Sequence, residues 1–281
     1  MTSAKPIDSG LPARAAQVLV ALVEAARLGG EIAMRDFSLG TRTRASIDYK
    51  QGGSPVTSAD LAVDGFLRAR LGAEFPEAGW LSEETADDDE RLGRSTLVIV
   101  DPIDGTRAYV AGDERWAVSI AFAVDGRLVA GVVHAPALGQ TYAASLGRGA
   151  TLNGEPIRAT YRTVLAGARI GGPRLLVASV AAAARVEFVG EPKIPSLAYR
   201  LARVASGSLD CALASTDSQD WDIAGADILL SESGAGLRDA HGKPLTYNRR
   251  ETSHGPLAAA PIALLPELTS SLRRALAGKT A

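Results

Sequence analysis

The chain has 281 residues, of which 46% are hydrophobic and 22% charged, with a formal net charge of -2 and a single cysteine. That length allows one broad domain or two halves around a sizeable core. The composition excludes a strongly basic face for a nucleic-acid polymer, an internal disulfide and a cysteine-rich metal site, while leaving room for a nucleotide-sized ligand.

Residues Met1 to Leu11 are mostly polar or Pro-containing and read as loosely held. The apolar stretch Val18 to Val23 is cut off by Glu24, so neither export nor membrane spanning is expected and the cytoplasm is the default location. Val18, Leu19, Leu22, Val23 and Ala26 share one face of a helix predicted over Arg14 to Phe37, with Gly29-Gly30 as its weak point. Ser38 to Pro55 reads as a loop or irregular hairpin carrying Lys50, which by itself reads as a solvated side chain. Asp60 sits at the start of a second helix, with Leu61, Val63, Phe66 and Leu67 as its inner face and its end before Pro76. A first-turn carboxylate there fits a plain cap as well as a functional group. Glu83, in Ser82-Glu83-Glu84, precedes the acidic run Asp87 to Glu90, which reads as a solvated loop.

The run Leu97-Val98-Ile99-Val100 is short and β-branched and predicts a buried strand ending near Asp101. Asp101-Pro102-Ile103-Asp104-Gly105-Thr106 follows, so two carboxylates emerge from the edge of a core. Gly105 permits a tight turn, and Thr106 can begin a helix whose free amides face an anion. Carboxylates beside an anion site repel the anion unless a divalent cation lies between them, so the hexad suggests Mg2+ and a phosphoryl group together. The same residues also fit an ordinary turn.

Trp116 to Val124 and Leu128 to Val133 are predicted strands joined at Asp125-Gly126, with a further strand at Tyr142 to Ala144 and a turn at Asn153-Gly154. His134 reads as a strand-end residue. A change of domain is expected between Gly154 and Arg174, where Gly171-Gly172-Pro173 interrupts regular structure and Leu175 to Val180 opens a second half. Ser196 to Val204 has helical spacing, Leu209 to Ala214 is a strand candidate, and Cys211 within it reads as a packed thiol. Asp222, in Trp221-Asp222-Ile223-Ala224-Gly225, falls near a helix start, where a cap and a metal ligand are both chemically reasonable. Pro256 to Pro266 reads as a connection and Glu267 to Ala277 as the last helix.

Taken together, Ser82-Glu83-Glu84, the hexad Asp101 to Thr106 and Trp221 to Gly225 resemble the inositol monophosphatase superfamily of Mg2+-dependent phosphomonoesterases. The resemblance spans nearly the whole chain and implies an α+β fold, a layered α/β/α/β/α sandwich. It implies an N-terminal α+β half over residues 1–154 with most metal ligands, and a C-terminal α/β half over residues 155–281 supplying Asp222 and substrate contacts. By the same resemblance two or three Mg2+ ions are expected. Glu83, Asp101 and the Ile103 carbonyl look like one metal site, and Asp101, Asp104 and Asp222 like another. Glu83 and Thr106 look like the pair that positions and activates water, with Asp60 as the partner of Thr106. The Gly105 and Thr106 amides would receive phosphate, and Lys50 looks like the basic residue of a mobile loop.

Substrate choice follows from finer likenesses. The family's inositol phosphatases carry a Glu seven residues before the metal-binding Asp, where this chain has Ser215, which fits an ordinary loop residue or a substrate contact. Gly131-Val132-Val133-His134-Ala135-Pro136 and Ser196-Leu197-Ala198-Tyr199 resemble the 3'(2'),5'-bisphosphate nucleotidase branch. That branch converts adenosine 3',5'-bisphosphate to AMP and phosphate. Inositol-1-phosphate phosphatase, histidinol-phosphate or other sugar phosphatase, and a non-catalytic phosphate-binding protein are the alternatives. The expected partner is a small phosphorylated substrate, and a homodimer is inherited from the family.

Overall fold

The computed structural model describes residues 11–278, so all but the last residue of the expected loose segment Met1 to Leu11 lies outside the described residues. The chain opens with α1 (Leu11–Met34), the hairpin β1 (Ile47–Tyr49) and β2 (Pro55–Thr57), and α2 (Ser58–Glu74). It continues through β3 (Gly79–Ser82), β4 (Thr96–Asp104), α3 (Thr106–Ala111), β5 (Ala117–Val124), β6 (Arg127–Ala135), β7 (Gln140–Ser145), β8 (Ala150–Leu152) and β9 (Glu155–Ile157). Then come β10 (Arg169–Gly171), α4 (Arg174–Ala184), β11 (Val189–Gly190), α5 (Leu197–Ala205), β12 (Cys211–Ala214) and β13 (Ser218–Gln219). The chain ends with α6 (Asp220–Ser233), β14 (Ala235–Asp239), β15 (Ser253–His254), β16 (Leu257–Pro261) and α7 (Leu265–Ala277).

Strands β3 to β9 form a seven-stranded sheet in sequence order, antiparallel except for the β3–β4 pair. A five-stranded sheet has the order β11-β10-β12-β16-β14, parallel on its β11-β10-β12 side. Side-chain alternation along these strands sorts the core into layers. On β4, Val98 and Val100 face α1 and α2, whereas Leu97 and Ile99 face the central core shared with α5 and α6. On β12, Ala212 and Ala214 face that same central core while Cys211 and Leu213 face α4 and α7. The result is the expected α+β sandwich, layered α/β/α/β/α.

Where sequence and structure differ, packing supplies the reason. α1 runs through Gly29-Gly30 unbroken, and α2 buries Ala59, Asp60, Val63, Leu67 and Leu71. Leu61, expected on the inner face of α2, is 55% exposed, because a stripe that includes Asp60 turns it outward. Leu175 to Val180, expected to open the second half, lie inside α4, after β10. The supposed connection from Pro256 contains β16, a central strand paired on both sides with β12 and β14. Its sequence, Leu-Ala-Ala-Ala-Pro, lacks the β-branched signature because small side chains are what fit between two helical layers.

The contact that places α6 is unusually close. A β-carbon on Gly225 would lie 2.5 Å from the Ser119 hydroxyl and 2.9 Å from the Val132 carbonyl, and one on Gly131 would lie 2.8 Å from the Gly225 carbonyl. Glycine at both positions lets helix and sheet backbones touch, and so fixes the depth at which the first turn of α6 arrives. Gly225→Ala is expected to destabilise the protein by about 1–3 kcal/mol in denaturant unfolding, through overpacking. The opposing gain in helix propensity is only about 1 kcal/mol. A stability equal to or above the parent's would overturn this account of the crossing.

Candidate active site

Glu83 follows β3, Asp101 and Asp104 occupy the end of β4, and Asp222 is the third residue of α6. The parallel β3–β4 pair brings Glu83 beside Asp101, since the Glu83 amide donates to the Val100 carbonyl. One oxygen from each of Asp101, Asp104 and Asp222 lies within 4.8 Å of the others. These residues and Glu83, Gly105 and Thr106 line a cleft of about 220 Å³.

Each carboxylate is held by backbone. The N-terminus of α5 grips Asp104, which accepts hydrogen bonds from the Ser196 hydroxyl (2.6 Å) and the Leu197 and Ala198 amides (3.2 and 2.6 Å). Asp222 accepts from the Gln219 amide at 2.7 Å in a capping box, and Asp101 from the Ile103 amide at 3.1 Å. Asp60, buried in the first turn of α2, accepts from the Thr57 amide (2.8 Å) and hydroxyl (2.5 Å). Its other oxygen lies 3.0 Å from the Thr106 hydroxyl, which is also 3.1 Å from the Ile103 carbonyl. Gly105 takes a φ of 93°, the left-handed turn that carries the chain from β4 into α3.

Burial pushes the Asp101 carboxyl well up, and Glu83, Asp104 and Asp222 push it further by repulsion. Asp222 is raised in the same way, by burial and then by Asp104. Burial carries Asp104 up to about 6 even though Ser196 and the α5 amides favour its charged form. Burial also raises Asp60. Lys50, in the β1–β2 turn, sits 2.8 Å from both Glu83 and Glu84. Burial alone would lower its pKa, but Glu83 and Glu84 outweigh that and raise it. Burial lifts Glu84 to about 7.

The structure thus brings together nine of the sequence-selected residues: Lys50, Asp60, Glu83, Asp101, Ile103, Asp104, Gly105, Thr106 and Asp222. Ser215 is placed differently. It lies exposed just after β12, its carbonyl accepting from the Ser218 hydroxyl, and is not among the cleft-lining residues. Arg107 and Lys193 do line the cleft but belong to no recognisable spacing, and only the position of Arg107 directly after the hexad hinted at it. His134 is buried against Thr141, at 3.0 Å, away from the carboxylates.

A donor set made of carboxylate oxygens is what a hard divalent cation takes, and three crowded carboxylates are electrostatically incomplete without one. The raised values work against the folded state in the absence of metal. Below about 4 the unfolded carboxyl is protonated; above it the unfolded chain ionises while Asp104 resists until about 6, so stability is lost across that interval. Without divalent cation, melting temperature is therefore expected to fall as pH rises from about 4 through about 6. Asp101→Asn should fall less, melt higher than the parent near neutral pH, and gain less from added Mg2+. A parent melting curve insensitive to pH and Mg2+ would contradict it.

The inositol monophosphatase family model matches residues 14–276. A 3'(2'),5'-bisphosphate nucleotidase CysQ from Aggregatibacter actinomycetemcomitans is 31% identical over 257 residues, covering 88% of this chain and 93% of the relative. An inositol-1-monophosphatase from Mesorhizobium japonicum is 33% identical over 235 residues, covering 80% of this chain and 86% of that one. Among solved structures, the extragenic suppressor protein suhB from Bartonella henselae superposes with a TM-score of 0.79 at 25% identity, over 92% of this chain and 98% of its own.

Proposed function

This chain belongs to the inositol monophosphatase family of phosphatases, and from that premise we propose that it is a Mg2+-dependent 3'(2'),5'-bisphosphate nucleotidase. It would convert adenosine 3',5'-bisphosphate to AMP and phosphate. The observation that carries the hydrolytic part is the oxygen triad of Asp101, Asp104 and Asp222 beside the Gly105–Thr106 turn. The nucleotide part is supported by similarity to a CysQ nucleotidase over most of both chains. It is supported too by serine, exposed and outside the cleft lining, where the family's inositol phosphatases carry glutamate.

In this reading Asp101, Asp104, Asp222, Glu83 and the Ile103 carbonyl would hold two Mg2+ ions, and Asp60 would help hold any third. Mg2+ bound there supplies Lewis-acid polarisation of the phosphate ester and eases deprotonation of water. Asp60 takes the hydroxyl proton of Thr106 in a hydrogen bond, which leaves the Thr106 oxygen free to accept from the attacking water. Glu83 receives that water's proton, and the Gly105 and Thr106 amides hydrogen-bond the phosphoryl oxygens as charge moves onto them. Lys50, 2.8 Å from Glu83 and Glu84 in the β1–β2 turn, would bring positive charge to the phosphate. The division near residue 155 and a homodimer belong to the same proposal.

Phosphate release is to be measured with and without Mg2+ on adenosine 3',5'-bisphosphate, inositol 1-phosphate and histidinol phosphate. The bisphosphate is expected to have the highest kcat/KM; a preference for either other ester overturns the nucleotidase reading, and no metal-stimulated release overturns catalysis. Thr106→Ala is expected to lower kcat roughly 10²–10⁴-fold with a melting temperature near the parent's, the range for loss of a group that acts on a transferred proton. Unchanged kcat would remove Thr106 from the mechanism.

A further inference from the structure

Glu83 and Glu84 lie just past the end of β3, where the sheet gives up control of the backbone, its last bond there being the Glu83 amide on the Val100 carbonyl at 3.3 Å. This is nevertheless the segment that must aim Glu83 at Asp101. Lys50 restrains the two glutamate side chains from the β1–β2 turn. The backbone that carries them is held from a different element, α2. Asp64, only 7% exposed, accepts from the Ser82 hydroxyl at 2.5 Å and, through its other oxygen, from the Thr85 hydroxyl at 2.7 Å. One carboxylate thus brackets both glutamates, gripping the residue before them and the residue after. The Ser82 oxygen in turn accepts from the Glu84 amide at 3.4 Å.

A carboxylate buried against two neutral hydroxyls is a costly way to fill space, because such bonds offset only part of what desolvation takes. An apolar side chain would pack more cheaply on α2 beside buried Val63 and Leu67. Asp64 also stands four residues after Asp60, one turn along the same helix face. Asp60 meets the Thr106 hydroxyl. One face of α2 therefore reaches both groups assigned to the attacking water: Thr106 through Asp60, and Glu83 through Asp64 and its two hydroxyls.

We propose that Asp64 is a positioning residue for Glu83. It fixes the segment from Ser82 to Thr85 so that the Glu83 carboxylate is preorganised as a cation ligand, and α2 thereby sets the spacing between Glu83 and the Thr106 hydroxyl. The inference rests on the reading of Glu83 as a metal ligand and deepens it. Hydrogen bonds that orient a ligand from outside are commonly worth about 10- to 100-fold in metal affinity.

The test is Mn2+ binding to the substrate-free protein, read from the electron paramagnetic resonance of the free ion. Asp64→Ala is expected to weaken binding roughly 10-fold, and Asp64→Asn, which keeps a hydrogen-bonding side chain of the same shape, to recover most of that loss. The double variant Ser82→Ala with Thr85→Val is expected to match Asp64→Ala, and adding Asp64→Ala to it to cost nothing more. A merely structural role would lower the melting temperature and leave the affinity of the folded protein alone. Parent-like Mn2+ affinity in Asp64→Ala, no recovery in Asp64→Asn, or a further loss when Asp64→Ala joins the double variant overturns the positioning role. Glu83→Gln separates that failure from failure of the reading beneath it. It is expected to bind Mn2+ more weakly than the parent; parent-like affinity there removes Glu83 as a ligand and the positioning role with it. Should Asp64→Ala fail to fold, Thr85→Val breaks one of the two links at a half-buried residue. That variant is expected to bind Mn2+ several-fold more weakly, and unchanged affinity overturns the proposal.

Discussion

Repulsion among Asp101, Asp104 and Asp222 is the constraint on which the rest of the structure depends. Three acids within 4.8 Å of one another do not gather spontaneously, and the pKa values pushed up by burial record the cost. The fold meets that cost chiefly with backbone dipoles, aided by the positive charges of Arg200 near Asp104 and Lys50 near Asp222. Asp104 sits on the N-terminus of α5, Asp222 in the first turn of α6, and Asp60 in the first turn of α2. The positive ends of three helices thus converge on one cleft, where they stabilise the acids without filling the space between them. A directly paired arginine would have satisfied the charges and occupied the cation's place.

Holding helices at that depth dictates the composition of the layers. α6 can approach the large sheet only because Gly225 meets Gly131, and α5 and α6 share a central core rich in alanine. The same demand explains Ala258, Ala259 and Ala260 on β16, buried between the central helices and α7. Small residues here are not weak packing. They set the separation of layers on which the triad's geometry depends, so the site and the core are one design problem.

This explains what could be read in the chain and what could not. The hexad was legible because a buried strand, a forced turn and two acids coincide within a few residues, and its partners Glu83 and Asp222 each stand beside their own apolar run. The long strands β4, β5 and β6 were legible for the same reason. β16 was not, since a strand buried on both faces between helices needs smallness rather than alternation or β-branching. Leu61 misled because the buried stripe of α2 is built around a carboxylate, and hydrophobic pattern alone does not count an acid as an inward residue. Lys193 and Arg107 reach the cleft from segments whose local sequence has no periodicity to read.

Chemistry and selectivity consequently have different visibility. Binding a divalent cation and a phosphoryl group demands particular atoms at particular backbone positions, so it leaves a compact motif. Recognising the rest of a substrate demands only charge and a suitable volume, and Arg174, Lys193 and Arg200 reach one cavity from three separate segments. Such a set has no spacing to read and is recovered only from the folded cavity. Arg200 takes its place from α5, the helix whose start also holds Asp104. Moving the guanidinium away would remove the attraction it exerts on the Asp104 carboxylate, so the start of α5 sets hydrogen-bond donors and a buried cation beside the same acid.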